Sequence, residues 1–237
     1  MGRFLWALRW MAVAAVVAVL AAACTSGVPM REQGAPPVSN DWSSDFPQAY
    51  YRHALAQGQT VLQIDPRRSL VVLEVRRAGP FAKFGHDHVV ASHDVQGYVA
   101  PDANRADLSI RLDRLVVDEA ALRRQAGFDE QPSPDDIAGT RHNMLSKVLQ
   151  ADRYPYALIH VTRQHANPLL NVTITLHGVT HSYQVPADIT QIPEGLMVSG
   201  SMHFRQTDFG IVPFSILNGA IRVSDGLTMH FRIAAVR

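Results

Sequence analysis

The chain has 237 residues, is 47% hydrophobic, and carries 22 Lys+Arg against 21 Asp+Glu. That balance, with no basic run, argues against nucleic acid as a partner, because neutralising phosphates requires clustered cations. The single cysteine, Cys24, excludes an intramolecular disulfide.

Residues 1–23 read as a signal peptide. Arg3 and Arg9 give a positive start, and Met11 to Ala23 is an apolar run of thirteen residues, too short for a comfortable membrane span. Small residues, Ala21-Ala22-Ala23, stand directly before Cys24. The arrangement resembles a bacterial lipoprotein signal, which implies a lipidated Cys24 as the new N-terminus. It departs from the usual pattern by placing Ala21, not Leu, three residues before the cysteine. Ordinary cleavage after Ala23, leaving a free thiol, is the alternative. Either cleavage leaves 20 Lys+Arg against 21 Asp+Glu, a net charge of −1. Thr25 is not the aspartate that commonly marks inner-membrane retention, so the expected place is the periplasmic face of the outer membrane.

Residues 24–45 read as a flexible tether, rich in Gly, Pro and Ser and poor in apolar residues as far as Asn40. The next segment pairs Trp42 with Phe46 and Tyr51 with Leu55 at a spacing of four. That predicts a short amphipathic helix after Pro47, ending near Gly58. Two roles stand for it: packing on the domain, or a lid or membrane-side contact.

From Thr60 the period becomes two. Val71, Leu73 and Val75 alternate with Val72, Glu74 and Arg76. The same alternation places Leu108 with Ile110, Ala157 with Ile159, Val172 with Ile174, and Met229 with Phe231 on apolar faces. One-sided alternation marks antiparallel strands with one wet face. Leu176-His177-Gly178-Val179 reads as a hairpin turn. Between the strand groups, Asp118 to Gln125 reads as a short helix. Ser133-Pro134-Asp135-Asp136 reads as a strong start for a second, with a Ser cap, an early Pro and carboxylates at the positive end of the helix dipole. That helix carries Ile137, Met144, Leu145, Val148 and Leu149. Arg205 to Asp225 reads as a structured connection between two late strands, with Phe209 and Phe214 turned inward. One domain over 46–237 follows. Its fold class is all-β: an antiparallel eight-stranded barrel with short helices capping it, because closure removes unpaired edges. A sandwich is the competing arrangement.

Chemistry-bearing signals are few. There is no GxSxG elbow and no Gly-rich phosphate loop, and the only cysteine sits at the processing site. Phe84-Gly85-His86-Asp87-His88 puts two histidines on one face of a strand, which is metal-ligand spacing if His93 or Asp94 supplies a third. The plainer reading makes them polar rim residues. His142, His160, His177, His181, His203 and His230 fall on positions expected to be wet. Arg141 and Asn143 either meet a polar head group or tie their helix to the barrel. The inner residues Leu73, Val75, Leu108, Ile110, Ile159, Ile174, Met229 and Phe231 serve equally as a packed core or as the wall of a tunnel.

Several strings in order resemble the YceI-like family across Val61 to Val236. They are Phe84-Gly85-His86-Asp87-His88, Arg141-His142-Asn143-Met144-Leu145, Tyr154-Pro155-Tyr156-Ala157, Leu176-His177-Gly178-Val179-Thr180, and Gln206-Thr207-Asp208-Phe209-Gly210-Ile211 with Pro213-Phe214-Ser215. The resemblance implies a lipocalin-like barrel that binds a long isoprenoid inside, without catalysis and with no cofactor beyond the bound lipid. Its expected contacts are the inner residues above together with Phe84, His86, His88, Arg141, Asn143, Met144, Phe209 and Phe214. A metal-dependent envelope protein using His86, His88 and His93 is the alternative.

Overall fold

The computed structural model describes residues 43–128, 130–164 and 168–237. The expected signal peptide, Cys24, Trp42 and the tether as far as residue 42 lie outside the described residues.

Alternating text becomes strand over most of the domain. In chain order the strands are β1 (Leu62–Ile64), β2 (Leu70–Ala78), β3 (His88–Ser92), β4 (Val95–Ala100), β5 (Arg105–Arg111), β6 (Val116–Val117), β7 (Tyr156–Arg163), β8 (Leu169–Leu176), β9 (Val179–Ile192), β10 (Gly195–Arg205), β11 (Ser215–Ile216) and β12 (Ile221–Val236). All pair antiparallel. The ring runs β1–β4–β5–β7–β8–β9–β10–β12 and closes where Gln63 of β1 meets Val236 of β12. β2 continues β1 along the same edge of β12, β3 pairs with β2, and β6 pairs with β3. So β1–β2, β3–β4 and β5–β6 are three long strands, each interrupted once, and the wall is an eight-stranded antiparallel barrel. The sandwich is not formed.

The first interruption is written locally: Pro66 opens a turn whose preceding Asp65 side chain accepts the Arg67 N–H at 3.0 Å. Within β4, Gly97 has φ +151, and a Cβ there would stand 2.2 Å from the Asp107 carbonyl oxygen. Gly97→Ala therefore meets both strain and a backbone clash. It should lower stability by more than about 2 kcal/mol, read as a lower urea midpoint at unchanged slope. The predicted hairpin forms between β8 and β9, with His177 at φ +53 and Gly178 at φ +76, the signs a tight two-residue turn requires.

The two ends of the barrel differ. One, the turn end, has the short connections 101–104 and 193–194. The other, the loop end, carries segments 79–87, 118–155 and 206–220. The two later helices lie in the second of these segments. Helix α1 (Gln48–Ala56) instead packs outside the wall. Its buried pair is Tyr51 with Ala54, while Leu55 is exposed, so the expected Tyr51–Leu55 stripe is not the one used. Phe46 precedes the helix and, with Tyr51, packs on Tyr98 of β4 at ring distances of 6.2 and 5.2 Å. The Tyr51 hydroxyl donates to buried Asp107 at 2.5 Å, and Asp107 also accepts from Arg105 and from His160, each at 2.7 Å. Burial opposes ionisation of Asp107, but these three hydrogen bonds outweigh it and hold the carboxyl below its ordinary value. His160 is thus one of three donors to Asp107, and its side chain stays 40% exposed on the outer face as expected.

Helix α2 (Ala120–Gln125) covers the outer face of β3, where Leu122 and Phe128 pack on Val89 and Ala91. Helix α3 (Pro134–Asn143) starts as expected: the Ser133 hydroxyl accepts the Asp136 N–H at 3.2 Å. It widens into a π turn over Met144–Val148. Arg141 donates to the main-chain carbonyls of Leu115 and Asp113, in the stretch where β5 gives way to β6. The guanidinium fixes α3 there, where β6 pairs with β3 and not with β7. Among the described residues no helix is long and apolar enough to cross a membrane.

Candidate functional site

The inward rows of the barrel align across strands. Leu108 of β5 sits opposite Ile159 of β7, which sits opposite Ile174 of β8. Leu73 of β2 faces Met229 of β12, which faces Met202 of β10. These rows surround a cavity of about 610 Å³ instead of meeting in the middle. A dry void of that size would cost about 15 kcal/mol at about 24 cal/mol per Å³, as much as a typical domain's whole stability. The volume lies within the ordinary range of ligand pockets. The wall is that of a container, not of a packed core with a flaw.

The lining reaches from Arg163 and Gln191 at the turn end to Arg77 and Arg222 at the loop end. Of the residues singled out in the sequence, Leu73, Val75, Leu108, Ile110, Ile159, Ile174, Met229 and Phe231 all line it. So do His86, His88, Asn143, Met144, Phe209 and Phe214. Phe209 is fully buried and packs its ring on Phe204 at 5.9 Å. Phe214 is half-buried beneath the Lys147 ammonium, 5.7 Å from the ring centroid. Two residues fall elsewhere. Phe84 is 67% exposed on the 3-10 turn Ala82–Phe84 and points away from the cavity. Arg141 is committed to the Asp113 and Leu115 carbonyls, which is the helix-tying role and not the head-group one.

Polar groups gather at the loop end. The Nδ1–H of His88 donates to Asp118 Oδ2 at 2.6 Å, and Asp118 also accepts the Val89 N–H at 3.0 Å and an Arg123 N–H at 2.6 Å. Asp118 has no side-chain exposure and holds φ +58, uncommon for a residue with a Cβ. Burial works against its charge. The bonds from His88, Val89 and Arg123 prevail, and its carboxyl stays below the ordinary value. With Nδ1 so occupied, Nε2 is the His88 nitrogen left for the cavity, and among the described residues no protein atom hydrogen-bonds it. The His86 ring lies 6.2 Å from the His88 ring, edge to face. Thr140 and Asn143 complete this polar mouth.

The metal arrangement fails on geometry. β3 begins at His88, so His93 lies five residues along, about 16 Å away at strand rise, where its Nε2 contacts Glu119 at 2.7 Å. His86, His88 and His93 do not converge. Among the described residues no group of three or more His, Cys, Asp or Glu could hold a metal ion.

The sequence reading missed Asp118, Arg123, Thr140, Met202 and Phe204. Met202 and Phe204 share the apolar face of β10 with Val198, a period-two signal present in the text. Asp118 and Arg123 carried no such signal, because their partners are distant in sequence.

The family model for the YceI-like domain matches residues 62–235. A polyisoprenoid binding domain from Saccharophagus degradans, implicated in plant cell wall breakdown, superposes with a TM-score of 0.53 at 12% identity, over 74% of this chain and 97% of that one. BcnA of Burkholderia cenocepacia gives 0.51 at 16% identity, over 72% and 98%. A comparison with curated protein sequences finds no match. A family match over residues 62–235, which spans the barrel from β1 to β12, places this chain in the YceI-like family.

Proposed function

We propose that the barrel binds and carries a long apolar isoprenoid, a polyisoprenoid or an isoprenoid quinone, without catalysing a reaction on it. The observation that carries this is the cavity: an apolar wall along the barrel between polar ends, with Arg163 and Gln191 at the turn end and His86, His88, Thr140 and Asn143 at the loop end. A hydrocarbon chain is held there by burial, at roughly 25 cal/mol per Å² of apolar surface. A polar head at the loop end meets His88 Nε2, with His86, Thr140 and Asn143 beside it. The described binding of polyisoprenoid by the Saccharophagus domain supports the same guest class for this related fold. The signal-like residues 1–24 support a place of action in the periplasm, at the outer membrane through a lipidated Cys24.

Native mass spectrometry with organic extraction, on protein taken gently from bacterial envelopes, tests the reading. The expected result is an added mass that extracts as an isoprenoid. Delipidated protein that fails to bind either a polyprenyl or a quinone probe would overturn it.

A further inference from the structure

Among the described residues nine large apolar side chains are left exposed, and five of them stand on two neighbouring loops at the loop end of the barrel. Phe81 and Phe84 are on the loop between β2 and β3, at 50% and 67% exposure. Val212, Ile216 and Leu217 are on the loop between β10 and β12, at 81%, 47% and 68%. The loops touch: the Phe81 N–H donates to the Ala220 carbonyl at 2.9 Å, and a Cβ on Gly79 would meet that same oxygen at 2.6 Å. Their bases form the cavity mouth, since Gly85, His86, Phe214 and Ile216 all line it. Isolated exposed apolar residues need no explanation, but a contiguous set around a pocket mouth marks an interaction surface.

The two loops' own charges have one sign, while from the 118–155 segment the Glu130 carboxylate stands 4.0 Å from His86 Nδ1 beside the mouth. The stretches 79–86 and 209–223 contain Lys83 and Arg222 and no carboxylate. Lys147 adds a third cation from the π turn, above the Phe214 ring. The neighbouring Asp87 is already engaged, accepting the Arg77 N–H at 2.8 Å and lying 3.9 Å from the guanidinium groups of Arg76 and Arg77.

We infer that the loop end is a docking face for an anionic lipid bilayer. Phe81, Phe84, Val212, Ile216 and Leu217 enter the headgroup–acyl boundary, and Lys83, Lys147 and Arg222 meet the anionic headgroups. Aromatic and aliphatic tips with a cationic rim are the composition that interfacial binding requires. Docking in this orientation sets the cavity mouth against hydrocarbon. An apolar guest then passes between bilayer and barrel without crossing water. The proposed docking uses none of the residues of the expected Cys24 anchor.

The test reads orientation, because association with vesicles alone does not say which face of the barrel meets the bilayer. Nitroxides are placed at Phe84→Cys, Leu217→Cys and, as a turn-end control, Glu194→Cys, each in the full chain with Cys24→Ser. Vesicles of phosphatidylcholine and phosphatidylglycerol are added. Accessibility to a water-soluble nickel complex should fall about fivefold or more at 84 and 217 and stay unchanged at 194. The fall should shrink in vesicles of phosphatidylcholine alone. Labels at 84 and 217 that remain as accessible as the label at 194 would sink the proposal. So would protection that requires a protein extract instead of vesicles. Binding of a polyprenyl probe by the same labelled chains in detergent is read separately, so loss of guest binding and loss of docking are distinguishable.

Discussion

Met229→Trp should abolish most isoprenoid binding while leaving the barrel folded. Met229 lies midway along β12, flanked by Leu73 on one side and Met202 on the other, and all three line the cavity. An indole there occupies the waist of the tunnel. It fills space that is already open, so it need not displace packed neighbours, and the usual overpacking cost of about 1–3 kcal/mol is largely avoided. A guest chain must then shorten its path or leave part of itself in water. The expected loss is about 100-fold in affinity for a polyprenyl probe, about 2.7 kcal/mol, with the melting temperature held or raised. The control is Val72→Trp on the outer face of β2, opposite His230 of β12, which should leave affinity unchanged. Equal affinity in Met229→Trp and the wild type would remove the cavity as the binding site.

The strands that could be read from the text are those with one wet face. β7 and β8 alternate because the inner row Leu108–Ile159–Ile174 is flanked by outward polar positions such as His160 and Thr173. β3 did not alternate. Val89, Val90 and Ala91 are all buried, since the barrel covers one face and α2 the other, and a run buried on both sides loses its period. The connection was read as running to Asp225, but β12 begins at Ile221, because the register shift between Val223 and Leu227 interrupts the pattern. The cavity wall was legible for the same reason the strands were, although periodicity alone does not separate a full interior from an open one. Phe84 was expected among the ligand contacts through the resemblance, yet on its 3-10 turn it stands exposed and outside the cavity lining. The mouth was only half legible. His86 and His88 were conspicuous, but Asp118 stands 30 residues from His88 and looked like one more carboxylate before a helix.

That hidden partner gives the second large effect. Asp118→Asn should destabilise the domain by about 3–5 kcal/mol, the cost of leaving a buried charge without its counterpart. Arg123 is only 3% exposed, and its Nε has no partner among the described residues. Its remaining bonds are to the Asp87 and Glu130 carbonyls, which do not neutralise it. Arg123→Met alone should cost less, because Asp118 keeps His88 and the Val89 N–H. The double variant Asp118→Asn, Arg123→Met should be more stable than Asp118→Asn, since the stranded cation is gone; chemical unfolding of the four proteins gives the coupling. The same pair sets an acid limit. The Asp118 carboxyl titrates below its unfolded value of about 3.9, so the stabilisation is fully present above about pH 4 and is lost as pH falls through the lower, folded value. Asp107 adds a contribution in the same window. Asp118→Asn should flatten that part of the stability curve. It should also weaken binding of a polyprenyl probe bearing a polar head more than of its headless hydrocarbon, because His88 loses the acceptor that fixes its ring. An equal effect on both probes would show that Asp118 supports the fold alone.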